Sequence, residues 1–216
     1  LNIQGIIFDS DGTLVDSERL AATVLQRLLR ERDIDLPHSE VLARFRGVQF
    51  AVFTAHLAAQ YPWLDPEPFM HEFRVKSLEL FAQGMQPMPG VEAFLARSPL
   101  PRCVASNGPR NKIETCLSAA GLIGYFQERI VSAYEVGAWK PDPGLILAAA
   151  QTLGLPVEDC LLVDDSHAGV EAGLAAGAWV AGYGDEDFSP YLDLPRFRLA
   201  PGYDDLEALL TTRDQG

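Results

Sequence analysis

Asp9 and Asp11 stand two residues apart at the end of an apolar run, Ile6-Ile7-Phe8, and Gly12 follows them. Alternate residues of an extended segment point the same way, so both carboxyls can face one rim while Ser10 faces away. Gly12 permits the tight departure that brings backbone N–H groups close to an anion. Further along, Ser106 and Asn107 follow a second apolar run, Lys140 sits in GAWKPDP, and Asp164 and Asp165 close CLLVDD. Gathered on one edge, Asp9, Asp11, Asp164 and Asp165 would repel one another unless paired or metallated. A hard divalent cation with oxygen ligands resolves this, and Mg²⁺ fits because it keeps waters and shares phosphate oxygens. Lys140 can neutralise further negative charge. The Ser106 hydroxyl, with the Asn107 amide and N–H at the head of a helix, favours an anion there.

The elements that must position these groups are legible in the periodicity. Residues 17 to 33 place Leu20, Val24, Leu25, Leu28 and Leu29 on one helical face, with Ser17 as the candidate N-cap. Further helices are expected over 38 to 46, closed by Gly47, then 49 to 60 and 66 to 82, with Pro62, Pro66 and Pro68 at the breaks. Nothing between 17 and 84 reads as a strand. After GMQPMPG (84 to 90) the period changes, and strands at 102 to 106, ERIVSA, 160 to 165 and 178 to 183 alternate with helices at 109 to 120, 143 to 153 and up to Gly177. This alternation predicts an α/β fold, a doubly wound parallel sheet with helices on both faces. The first strand, 3 to 8, has no crossover helix of its own, so the helical block reads as an insertion: a core of 1–16 and 85–216 carrying an all-helical cap domain, 17–84. All strands of a parallel sheet end on one side, which brings the acids, Ser106 and Asn107 to a common rim.

At 216 residues, 48% hydrophobic and 22% charged, the chain has the length and composition of a globular domain with an insert. Its 17 basic and 30 acidic residues leave a net charge of −13, which repels nucleic-acid backbones and anionic membrane surfaces. Cys103, Cys116 and Cys160 form no C-x-x-C pair and are expected as buried, reduced thiols, pointing to the cytosol. No charged-then-apolar leader or long apolar run supports secretion or membrane spanning, and the expected location is cytoplasmic. The composition leaves the oligomeric state open and is compatible with a monomer.

Plainer readings compete for single residues. D-S-D-G resembles part of a calcium loop, but a strand rather than a helix precedes it. Asp164 and Asp165 could cap the following helix, and Lys140 could be a solvated surface cation; joint placement at strand ends is what argues otherwise. Asp16 is expected to steady the passage into the helical block. His38, His56, His71 and His167 share no metal-ligand spacing and read as surface or helix-end residues, with His167 close to the rim. Tyr134 and Trp139 flank the lysine loop and are expected to pack in the core or at the rim.

Taken in order, FDSDGTLVDS, VASNG, WKPDP and LLVDDSHAGVEAGLAAG resemble the four motifs of the haloacid dehalogenase superfamily of phosphatases. The helical insert falls where that family carries its small cap, and the resemblance covers essentially the whole chain. It implies a Rossmann-like core and a Mg²⁺-dependent phosphomonoesterase acting on a small phosphorylated molecule. Asp9 would be the nucleophile, forming an aspartyl phosphate, and Asp11 the general acid and then the general base. The resemblance further implies Mg²⁺ on Asp9, on the backbone carbonyl of Asp11 and on Asp165, with Asp164 acting through water. Ser106, Asn107, Lys140 and the Gly12 loop would surround the phosphoryl oxygens. Dehalogenating members lack the second aspartate of the opening motif, so Asp11 favours phosphoryl transfer. RFRGV (44 to 48) resembles the cap loop that faces the site in sugar-phosphate members, making Arg46 the expected contact for the distal end of the substrate, or else a solvated helix-end arginine. Phosphomutase members carry an arginine just beyond this loop, where this chain has Gln49 and Phe50; that tells against a β-phosphoglucomutase-like activity. FRGV, SNGPRNK, WKPDP and LLVDDSHAG are most similar to the branch acting on 6-phosphogluconate. That acid sugar is the expected substrate, its carboxylate suiting Arg46, with phosphoglycolate and hexose monophosphates as alternatives.

Overall fold

Strand β1 (Gly5–Phe8) is buried along its whole length and lies inside a six-stranded parallel sheet. The computed structural model describes residues 2–45 and 50–211. β1 pairs with β2 (Arg102–Ser106) on one side and β4 (Cys160–Asp164) on the other, placing Ile7 opposite both Cys103 and Leu162. β3 (Ile130–Ser132) extends the sheet beyond β2, while β5 (Trp179–Gly182) and β6 (Phe197–Leu199) extend it beyond β4, giving the order β3-β2-β1-β4-β5-β6.

Both faces of the sheet are covered, which is why its strands read as continuous apolar runs rather than alternating ones. Ile6, Phe8, Val104 and Val163 join one apolar cluster with α5 (Val91–Arg97), α6 (Arg110–Ala119) and α10 (Tyr203–Thr211). Ile7, Cys103, Ala105 and Leu162 join another with α8 (Gly144–Leu153) and α9 (His167–Ala176). All three cysteines are free and buried.

Between β1 and β2 lie four further helices: α1 (Ser17–Arg30), α2 (His38–Phe45), α3 (Phe50–Gln60) and α4 (Pro66–Gln83). α1 buries Ala21, Val24, Leu25, Leu28 and Leu29, a stripe at helical spacing. α4 starts cleanly because the Asp65 side chain accepts from the Glu67 N–H and Pro66 occupies the first turn. Phe45 of α2 packs edge to face against Phe50 and Phe53 of α3 and Phe73 of α4. The two passages joining this block to the sheet run side by side: the Asp16 N–H donates to Gln86 O at 3.0 Å and the Met88 N–H to Leu14 O at 2.9 Å. No described helix is long and apolar enough to cross a membrane.

Several local expectations need correcting. Ser17 is not the N-cap; Asp16 takes that position without a side-chain cap bond, and the Ser17 hydroxyl is spent elsewhere, on Asp11. α1 stops at Arg30, and Asp33 lies beyond it with φ +59°, a left-handed turn that ends the segment early. ERIVSA divides into β3 and a single helical turn, α7 (Ala133–Val136), because the Ser132 hydroxyl caps Tyr134 N–H. α5, β6 and α10 were not expected. α5 has only seven residues and opens directly on Gly90 of the turn-rich linker, while the three residues of β6 include the charged Arg198. Gly47, expected to close α2, lies outside the described residues.

Candidate active site

The sheet grows in opposite directions from β1, through β2 and β3 one way and β4, β5 and β6 the other. In such a sheet the loops leaving the strand ends diverge here and open a crevice. Asp9 follows β1 directly, and its N–H donates to Val163 O at 2.9 Å, so the β1–β4 ladder continues into the acidic loop. Ser106 ends β2 and Asp164 ends β4. The common rim inferred from the sequence therefore carries Asp9, Asp11, Ser106, Asn107, Asp164 and Asp165 on loops that leave one edge.

Lys140 crosses this crevice. Its ammonium is 2.7 Å from Asp9 Oδ1 and 2.7 Å from Asp164 Oδ2, and the residue is 4% exposed. A solvated surface lysine is thereby ruled out. Asn107 anchors the lysine's backbone: its Oδ1 accepts from Lys140 N at 2.9 Å and its Nδ2 donates to Lys140 O at 3.2 Å. The other Asp164 oxygen accepts from Ser166 N at 3.0 Å and Ser166 Oγ at 2.7 Å, so the protein itself engages both of its oxygens. Ser106 is buried, and its hydroxyl oxygen accepts from Gly108 N at 3.1 Å.

Two glycines make room for the late acids. Gly12 has φ +81°, and a Cβ there would lie 2.1 Å from Asp165 Oδ2. A Cβ on Gly169 would lie 1.9 Å from the carboxyl carbon of Asp164. Asp165 also accepts from the Thr13 hydroxyl at 3.2 Å, and the buried Tyr203 hydroxyl supports Thr13 O at 2.7 Å.

The electrostatics divide the acids. Burial pushes Asp9 up to about 7, with Lys140 opposing and the charges of Asp164 and Asp11 assisting. Burial, then the charges of Asp9 and Asp164, holds Asp165 well above the ordinary carboxylate range. Burial would raise Asp11 as well, but the Lys112 ammonium, a hydrogen bond from Ser17 and the charge of Lys140 hold it below. Lys140 is raised, because Asp164 and Asp9 outweigh the burial that opposes its charge.

This donor set suits a magnesium ion. Asp9 and Asp165 are partly buried acids, both held above the ordinary carboxylate range, the charge of Asp9 helping to raise Asp165, and a hard cation beside them relieves both. Among the described residues no three carboxylate, imidazole or thiol side chains form a ready-made cage. Mg²⁺ needs none, since one or two carboxylates with a carbonyl, waters and phosphate oxygens complete its octahedron.

Lys112 escaped the sequence reading. It stands in the first turn of α6, and its ammonium lies 2.7 Å from Asp11 Oδ2, while Ser17 Oγ donates to Asp11 Oδ1. A signal existed: a cation in the first turn opposes the helix dipole and calls for an acidic partner. Arg46 and Gln49 lie outside the described residues. His167 pairs with Glu186 at 3.3 Å and with the Tyr191 hydroxyl at 3.0 Å. Tyr134 and Trp139 pack against each other and are exposed rather than in the core.

Comparison with known proteins agrees with this geometry. The family model for haloacid dehalogenase-like hydrolases matches residues 3–177. The 6-phosphogluconate phosphatase of Escherichia coli is 35% identical over 81% of this chain and 80% of its own. Hexitol phosphatase A of the same organism is 32% identical over 83% of this chain and 82% of its own. A haloacid dehalogenase family hydrolase from Deinococcus radiodurans, solved with bound phosphate and sodium, superposes with a TM-score of 0.80 at 30% identity, covering 97% of this chain and 95% of that one. The chain belongs to the haloacid dehalogenase-like hydrolase family, and its sheet is that family's Rossmann-like core.

Proposed function

We propose that this hydrolase is a Mg²⁺-dependent phosphomonoesterase that cleaves a small sugar or sugar-acid phosphate through an aspartyl phosphate on Asp9, with 6-phosphogluconate as its favoured substrate. Its class, a phosphatase, follows from family membership and from the relatives so named. The observation that carries the mechanism is the convergence of Asp9, Asp164 and Lys140 within hydrogen-bond distance, with Asp11 and Asp165 on the same rim.

In this reading an Asp9 oxygen attacks phosphorus as the ester P–O bond breaks, and Asp11, ionised while Lys112 holds it, takes up a proton once substrate parts it from that lysine and passes the proton to the departing alkoxide. Asp11 then takes a proton from water as that water attacks the aspartyl phosphate, releasing phosphate and restoring Asp9. Lys140 holds Asp9 in place and compensates charge on the phosphoryl oxygens, beside the Ser106 hydroxyl and the backbone N–H groups near Gly12 and Asn107. Asp9, the Asp11 carbonyl and Asp165 would hold Mg²⁺, which supplies further neutralisation of the phosphoryl charge, while Asp164 orients Lys140. Residues 17–84 would act as a cap over a core of 1–16 and 85–216, shifting about the paired passages to admit substrate and exclude water. A cytoplasmic location suits the reduced thiols and the substrate class.

The test is phosphate release from a panel of sugar and acid monophosphates. Release that needs Mg²⁺, stops with EDTA and is abolished in Asp9→Asn supports the proposal; full turnover by Asp9→Asn refutes it. The likeness to hexitol phosphatase A favours a neutral sugar-alcohol phosphate as the second reading, and the same panel separates the two. A mutase would instead require a bisphosphate activator and release no phosphate.

A further inference from the structure

We infer that Lys112 is a specificity-determining residue which receives a carboxylate of the departing alcohol, so that the site prefers acid-sugar phosphates to their neutral counterparts. This rests on the phosphatase reading above. Two lysines meet the acids of the crevice, and they differ in access. Lys140 is sealed between Asp9 and Asp164. Lys112 leaves 29% of its side chain exposed while its ammonium stays 2.7 Å from Asp11 Oδ2. Among the described residues paired with these acids, it is therefore the cation that an incoming ligand can reach. Its stem passes the Gly108 turn, where a Cβ on the glycine would lie 3.6 Å from Lys112 Cδ.

Asp11 is engaged at both oxygens, by Ser17 on Oδ1 and by Lys112 on Oδ2. To serve the ester oxygen it must release one of them. When it releases Lys112, an ammonium is left without its counter-ion where the alcohol departs. A carboxylate on that alcohol takes Asp11's place, whereas a hydroxymethyl group leaves a half-buried cation with no charged partner. The need is sharpened by the protein's net charge of −13, because a substrate carrying a carboxylate besides its phosphate must find local positive charge to approach. The substrates in the names of two relatives, a phosphogluconate and a hexitol phosphate, differ at this group.

The test compares the full chain with Lys112→Gln and Lys112→Arg on matched pairs: 6-phosphogluconate against glucitol 6-phosphate, and 2-phosphoglycolate against 2-hydroxyethyl phosphate. Wild type should prefer the acid in at least one pair. Lys112→Gln should lower the acid-to-neutral ratio of kcat/KM by about tenfold to a hundredfold, with KM for the acid carrying most of the change, and Lys112→Arg should restore most of it. Because the readout is a ratio within one sample, a partly unfolded variant shifts both members alike. An unchanged ratio in Lys112→Gln overturns the inference, as does a wild type that hydrolyses the neutral members as well as the acids. In either case the phosphatase assignment stands. Wild type inert towards every monophosphate in the presence of Mg²⁺ defeats the phosphatase reading itself.

Discussion

Asp9 and Lys140 show how a single residue acquires its chemistry from its surroundings. Lys140 offsets the buried Asp164 and the partly buried Asp9 at once, and a methionine there leaves both without a cation. We expect Lys140→Met to cost about 3–5 kcal/mol in metal-free protein, read from urea denaturation, with activity lost. Gly12 is equally constrained. An alanine there would place a Cβ against Asp165 in a left-handed backbone, so Gly12→Ala should cost about 1–2 kcal/mol for the backbone alone and weaken Mg²⁺ activation. Magnesium titrations of turnover check the second effect, and an unchanged magnesium requirement would contradict the place given to Asp165. These constraints were partly legible: a glycine after D-x-D announces a tight turn, but that the turn accommodates Asp165 depends on a contact between distant segments.

Among the elements, α9 joins fold to site most directly. Its N-cap, Ser166, accepts from Gly169 N at 3.0 Å and donates to Asp164 Oδ1 at 2.7 Å, so one hydroxyl both starts the helix and fixes the acid that holds Lys140. Ser166→Ala should lower stability by about 1–2 kcal/mol and reduce kcat, measurable by thermal melting and by phosphate release. The same change without effect on kcat would show that Asp164 needs no help from the cap. Long periodic elements such as α1 and α4 were evident from their sequence. α5, α7 and β6 were not, since helices of seven and four residues complete too few turns to show a stripe, and β6 interrupts its apolar residues with Arg198.

For the whole molecule, the raised Asp9 and Asp165 make stability depend on pH in a definite direction. The folded, metal-free protein keeps protons on these acids that the unfolded chain has released above about pH 4. Their contribution therefore favours folding at acid pH and is lost as pH rises towards about 7, where Asp9 ionises. In EDTA this contribution should lower the melting temperature between pH 5 and 7, and added Mg²⁺ should raise it again, most at pH 7 and above. Melting curves with and without the metal test this. A magnesium shift as large at pH 5 as at pH 8 would count against a site built on these two acids.

What the sequence determined by itself was whatever local pattern and burial encode. Runs apolar on both faces made parallel strands, helical stripes made α1 and its neighbours, and strand-end placement sent Asp9, Ser106, Asp164 and Asp165 to one rim. The side-chain pairings were decided only in three dimensions. Lys140 meets Asp9 across 131 positions of chain, and Lys112 meets Asp11 across 101. No local period specifies such meetings. They arise because the crossings between strands bring the lysine loop and the first turn of α6 over the end of β1, where the partly buried acids draw in whatever cations the packing supplies.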